Sequence, residues 1–173
     1  MRNVTSGIGV VAVFALVLAA LVASAQDEKK VAQKEEKVDL DKIPKKVMDT
    51  LKAKFPKAEI HHWIKAKDGD IVVYDIEFKQ EGRKFEADIK EDGTIHNWEK
   101  EVAVKDLPDA VKKAVEKKYP KSTLKEIMEI TAVKNGKDEL EGYEIVLETA
   151  EKKDFEVTVA PDGKILEDSG GKN

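Results

Sequence analysis

"VAPDGKILE", residues 159–167, and "IKEDGTIHN", residues 89–97, share one build: an alternating strand end, an Asp-Gly pair and a second strand. Aspartate tolerates the bend of a tight turn, and glycine supplies the positive φ that such a turn needs between antiparallel strands. Pro161 pre-sets the turn in the later stretch. The recurrence reaches far beyond the turns. Phe85 and Phe155, Gly93 and Gly163, and Ile95 and Ile165 are each 70 residues apart, and Tyr74 and Tyr143 are 69 apart. Further out, Pro44 and Pro108, and Pro56 and Pro120, are 64 apart. The chain therefore reads as one unit written twice. The growing spacing places an insertion in the second copy, at "KNGKDELEG" (134–142), which reads as a hairpin loop.

Each copy opens with a helical pattern. Ile43, Val47, Leu51 and Phe55 recur every four residues, as do Leu107, Val111, Val115 and Tyr119. That spacing draws one apolar stripe along a helix. Pro44 and Pro108 sit near the start, where the first-turn amides have no intrahelical partner. Asp41 and Asp106 favour the positive end of the helix dipole. Pro56 and Pro120 stop each helix by disfavouring helical geometry in the residue before them.

Strand patterns follow. Val72, Tyr74, Ile76 and Phe78 alternate with charged residues, as do Phe85, Ala87 and Ile89. Tyr143, Ile145 and Leu147, then Phe155, Val157 and Val159, repeat the pattern. Such alternation marks an antiparallel sheet with one covered and one wet face. The earlier strands, 58–66 and 122–133, are less regular: His62 and Glu126 fall in register with Ile60 and Ile64, and with Leu124 and Met128, which suggests a bulge or an open sheet edge. The expected fold is α+β, with two tandem repeats, 39–101 and 102–167. Each is one N-terminal helix packed on one face of a roughly four-stranded antiparallel sheet. A unit of this size is marginal alone, so the two should share an interface or a continuous sheet.

The ends differ from the middle. Residues 1–25 carry one positive charge, Arg2, then an apolar run from Ile8 to Val22, then Ala23-Ser24-Ala25. This is the layout of a secretory signal peptide cut after Ala25. The 15-residue run falls short of the roughly 20 residues that span a bilayer, so no stable membrane insertion is expected after cleavage. Residues 26–38 are almost all charged or small and read as a flexible spacer, and residues 168–173 as a loose tail. Losing Arg2 leaves 30 basic and 35 acidic residues, a balance that disfavours a nucleic-acid partner. The chain has no cysteine, so it holds together without disulfides and offers no thiolate chemistry.

Together, "IPKKV" (43–47) and "LPDAV" (107–111), "KFPKA" (54–58) and "KYPKS" (118–122), the Tyr74 and Tyr143 strands, and "FEADIKEDGTI" and "FEVTVAPDGKI" (from Phe85 and Phe155) carry a likeness. Residues 40–167 resemble tandem PepSY-like domains, exported bacterial modules related in fold to the beta-lactamase inhibitory protein. The resemblance implies a helix-on-sheet fold in the periplasm or outside the cell, a binding or inhibitory role, and no enzymatic activity.

Little in the sequence carries reaction chemistry. There is no G-x-S-x-G and no nucleophile with an orienting base. The candidate binding residues are His61, His62, Trp63, His96 and Trp98. His61 and His62 are adjacent on a strand and point to opposite faces, so they do not readily share a metal ion, and His96 joins one of them only if their strands are neighbours. No catalytic residue, metal site or cofactor is assigned. The expectation is a non-enzymatic exported module that binds a protein of the cell envelope or beyond, with inhibition of a peptidase or other envelope enzyme as one role. The alternative is a carrier of a small ligand or metal ion.

Overall fold

A computed structural model describes residues 39–68 and 70–170. The signal peptide, the spacer and the last three residues of the expected tail lie outside the described residues. A short 3-10 turn at Leu40–Lys42 leads into helix α1, Lys45–Lys54. Four strands follow: β1 (Glu59–Asp68), β2 (Ile71–Gln80), β3 (Arg83–Lys90) and β4 (Ile95–Glu101). A second 3-10 turn, Val104–Asp106, precedes helix α2, Asp109–Lys118. Then come β5 (Thr123–Lys134), β6 (Lys137–Glu148), β7 (Asp154–Val159) and β8 (Ile165–Asp168).

Both helices begin and end where proline chemistry predicts. Pro44 and Pro108 are extended at the N-caps, and their carbonyls accept the first intrahelical bonds from Met48 and Lys112, each at 3.1 Å. Phe55 and Tyr119 close the helices by donating to Leu51 and Val115, immediately before Pro56 and Pro120.

The strands form one eight-stranded antiparallel sheet in sequential order, β1 to β8. The four-plus-four strands expected of two repeats are thus a single sheet, joined where β4 pairs with β5 from Asn97–Ala132 to Glu101–Met128. Registers carry the same face across that join. Phe85 opposes Lys100, Lys100 opposes Glu129, and Glu129 opposes Tyr143. The core sides of β3 and β6 therefore lie on one face of the sheet. Val47, Leu51 and Phe55 pack there with Tyr74, Ile76, Phe78, Phe85, Ala87 and Ile89. Val111 and Val115 pack on the same face with Ile127, Tyr143, Ile145, Leu147, Val157 and Val159.

The two irregular strands each carry a bulge, at Ile60/His62 in β1 and Leu124/Glu126 in β5. The extra residue turns the rest of each strand over. Trp63 rather than Ile64 then faces the helices, opposite Ile76, and Ile64 opposes Asp75 on the other face. Ile127 likewise takes the core side, opposite Ile145, and Met128 the other. The expectation that Ile64 and Met128 share the core register with Ile60 and Leu124 is corrected by these bulges.

Two further segments differ from expectation. Residues 134–142 are not a loop but the tip of the β5–β6 hairpin, turning at Asn135 and Gly136, both at positive φ. The chain end is held further than expected: Asp168 lies in β8, and Ser169 exchanges hydrogen bonds with the Glu156 backbone, its amide donating to Glu156 O at 2.9 Å.

Candidate functional site

The five sequence candidates do not converge. His61 and His62 are exposed on the edge strand β1, while His96 is half-buried on β4, with β2 and β3 between. Three strand spacings put those positions roughly 14 Å apart at least. Among the described residues, no group of three or more His, Cys, Asp or Glu side chains has the geometry to hold a metal ion. Trp63 packs near Tyr74, with ring centroids 6.1 Å apart. Trp98 lies on the helix side among Phe55 and Phe85, with the Lys54 ammonium 5.2 Å from its ring centre and its indole N–H without a hydrogen-bond partner. Both indoles are thus part of the helix-side packing.

A depression of about 550 Å³ lies where the two halves meet, lined by Arg83, Lys100, Lys105, Glu101, Asp106 and Glu129. Its charges are mixed, and Lys100 is already paired with Glu129 at 2.9 Å.

The opposite face of the sheet is different. Register places like charges directly across from each other: Glu77 opposes Glu86, Glu86 opposes Glu99, and Asp75 opposes Asp88, whose other neighbour is Asn97. Directly opposed like charges destabilise a sheet. Glu144 of β6 faces Met128 on one side and Thr158 on the other, and Glu156 of β7 opposes Val146. Both helices pack on the other face, yet the centre of this one is buried: Asn97 is 2% exposed, Glu99 3% and Glu144 7%, with Met128, Ile130 and Thr158 similarly enclosed. Glu99 Oε2, Glu144 Oε2 and Asn97 Nδ2 have no hydrogen-bond partner.

Part of this charge is offset within the chain. Lys84 binds Glu86 and Glu126, each at 2.8 Å, and so ties β3 to β5 across the join. Burial pulls its ammonium down, but Glu126 and Glu86 outweigh that and hold it above the usual lysine range. The carboxyls shift upward. Burial, then Asp88, Glu86 and Glu77, raise Asp75 to about 8. Burial, then Glu99, Glu156 and Glu86, raise Glu144 to about 10. Glu99 is pushed well above the carboxylate range by burial first, and next by Glu86, Asp88, Asp75 and Glu156. Glu156 is raised as well, by burial first, with Glu86, Glu167 and Glu126 adding to the rise and Glu144 opposing it.

The alternation marks this face as wet and charged, and that expectation is corrected at its centre, where Asn97, Glu99 and Glu144 are buried, because each acid alternates with a core residue and reads alone as solvated. A usable signal existed. The two-residue turn Glu81-Gly82, both at positive φ, fixes the β2–β3 register and with it the Glu77–Glu86 pair.

The family model for beta-lactamase-inhibitor-like, PepSY-like proteins matches residues 27–97 and 72–167. Solved structures share the fold. A DUF2874 family protein from Bacteroides uniformis is 14% identical, with a TM-score of 0.57, over 75% of this chain and 92% of its own. A BLIP-like protein from Bacteroides fragilis is 20% identical, with a TM-score of 0.52, over 74% and 86%. A protein from Bacteroides eggerthii described as periplasmic is 16% identical, with a TM-score of 0.58, over 73% and 87%. No curated protein sequence matches the chain.

Proposed function

Because the chain belongs to the beta-lactamase-inhibitor-like, PepSY-like family, we propose that it is an exported, non-enzymatic binding module whose open sheet face engages a protein of the cell envelope, with inhibition of a peptidase or other envelope enzyme as the consequence. One observation carries this reading. Beyond the face that packs the helices, the sheet sets partly exposed acids directly against each other, Glu77 across from Glu86 and Asp75 across from Asp88, an arrangement that weakens the fold and that cationic groups of a partner would offset. The scaffold behind it is a helix and four strands made twice, 39–101 and 102–167, merged into one sheet broad enough to present a continuous surface. A location outside the cytoplasm agrees with the described nature of the Bacteroides eggerthii relative. Among the described residues, no helix is long and apolar enough to cross a membrane.

The test is capture from a bacterial envelope extract on the immobilised chain at low salt, with elution at high salt, because recognition by a charged face is screened by ions. A specific protein recovered reproducibly and released by salt is the expected result. Recovery of none, with saturable binding of a small ligand instead, refutes the proposal.

A further inference from the structure

We infer that the tip of the β5–β6 hairpin is a site of spontaneous modification: Asn135 and Gly136 close to a cyclic imide, release ammonia and reopen in part as isoaspartate, which loosens the tip from α1. This chemistry needs an asparagine side chain beside an unhindered amide nitrogen. Residues 134–140 are all exposed. Asn135 and Gly136, at φ 54° and 73°, make up the whole turn between Lys134 and Lys137, the last pair of the ladder. Neither turn residue therefore has a partner in that ladder. A Cβ built on Gly136 meets nothing within 4 Å, so the space around its nitrogen is open. A hairpin tip beyond the core opens at little cost, which lets the pair reach the geometry of attack.

The Gly136 nitrogen gives its proton to hydroxide and attacks Asn135 Cγ. The new N–Cγ bond replaces the Cγ–Nδ2 bond, and Nδ2 takes a proton from water and leaves as ammonia. Water then opens the imide. Cleavage at Cγ gives aspartate, and cleavage at the main-chain carbonyl gives isoaspartate, whose chain runs through Cβ and Cγ. Aspartate still suits the turn. Isoaspartate adds a methylene to a two-residue loop whose length sets the register. Val133 then ceases to oppose Asp138, and the Asp138 carboxylate is drawn off the Lys54 ammonium that it binds at 2.7 Å.

Comparable positions are shielded. Asn97 is 2% exposed and precedes the bulky Trp98. In the turns at Asp92-Gly93 and Asp162-Gly163 the glycine nitrogen is engaged, donating to Lys90 O and Ala160 O at 2.8 Å each. Both of those glycines also lie against a helix.

The experiment incubates the full chain at pH 8 and 37 °C, with a parallel sample at pH 5. Peptide mass mapping follows the loss of asparagine, and labelling by an isoaspartate methyltransferase follows isoaspartate. Conversion at Asn135 should run at least about tenfold faster than at Asn97, Asp92 or Asp162, slow at pH 5, and vanish in Asn135→Gln, whose longer side chain closes the ring poorly. In the isoaspartyl fraction, amide exchange should rise across 131–140 and stay unchanged in the β2–β3 hairpin. No conversion at Asn135, or conversion at Asn97 at an equal rate, overturns the site. An isoaspartyl fraction whose tip exchanges like fresh protein overturns the loosening.

Discussion

Glu99 stands directly across from Glu86 on the neighbouring strand, and Glu86 in turn across from Glu77, so three adjacent strands align acid against acid on one face. Glu99 bears most of the cost because it is almost wholly enclosed. Its amide analogue keeps the shape and removes the charge. Glu99→Gln should stabilise the fold at pH 7.5 by on the order of 1 kcal/mol, measured by urea unfolding. At pH 4 the gain should shrink, since the wild-type carboxyl is then mostly protonated. A destabilised variant at pH 7.5 would mean that the carboxylate is paired within the fold.

The same cluster sets an unusual dependence on pH. Asp75, near 8 in the folded chain and about 4 when unfolded, faces Asp88, Glu86, Glu77 and Lys84. Between those values the folded state holds the extra proton, so stability falls as pH rises. Glu144, raised to about 10, extends the trend upward. Asp92, held low by the Thr94 amide, and Glu148, held low by Lys152 and Lys125, act in the opposite sense and lose their contribution only as pH falls through the ordinary carboxylate range. The urea midpoint should therefore be highest near pH 5 and decline toward pH 8. A midpoint that is flat or rising over that interval contradicts the assignment.

The helices and much of the sheet were legible because their signals are local. Val47 and Leu51, like Val111 and Val115, sit at helical spacing and are buried, and β3 alternates as read, whereas in β2 Val72 is exposed and Val73 buried, and in β6 and β7 Glu144 and Thr158 are buried on the face read as wet. What failed was periodicity across a discontinuity. A single extra residue at His61 or Lys125 shifts a period-two pattern by one, so Ile64 and Met128 were assigned to the wrong face. Polar residues on both sides of 137–142 hid a strand that runs past the core. The open-face cluster draws on β2, β3, β4, β6 and β7, and the β4–β5 pairing on which it depends is a contact between halves that no turn motif announces. The histidines and tryptophans drew attention by rarity, which says nothing about where a register places them.

A cross-link between the halves gives a third prediction. Lys54 Nζ donates to both carboxylate oxygens of Asp138, at 2.9 and 2.7 Å, joining the end of α1 to the β5–β6 hairpin tip. Both side chains are partly exposed, so the pair is worth about 0.2–1 kcal/mol. A double-mutant cycle with Lys54→Ala and Asp138→Ala should return a coupling of that size at low salt and close to none at high salt. Coupling that survives salt would show the pair to be effectively shielded, with the Trp98 ring beneath Lys54 contributing.

Three turn glycines make a graded series. Gly82, Gly93 and Gly163 all have φ between 80° and 90°, where any other L residue is strained by about 1–2 kcal/mol. Their surroundings differ. A Cβ on Gly82 meets nothing within 4 Å. On Gly93 it comes to 3.0 Å from Thr50 Oγ1 and 3.2 Å from the Lys46 carbonyl, and Thr50 already donates to the Gly93 carbonyl at 2.9 Å. On Gly163 it would lie 2.7 Å from the Ala110 carbonyl oxygen, a backbone atom of α2 that moves only with the helix. Alanine substitution should therefore cost least at position 82, more at 93 and most at 163. Because α2 must shift to admit the methyl group, Gly163→Ala should also loosen the packing of Val111 and Val115 and raise amide exchange across α2 and β7. Equal losses at all three sites in urea unfolding would show that backbone strain alone sets the cost, and that the Asp-Gly turns do not brace the helices.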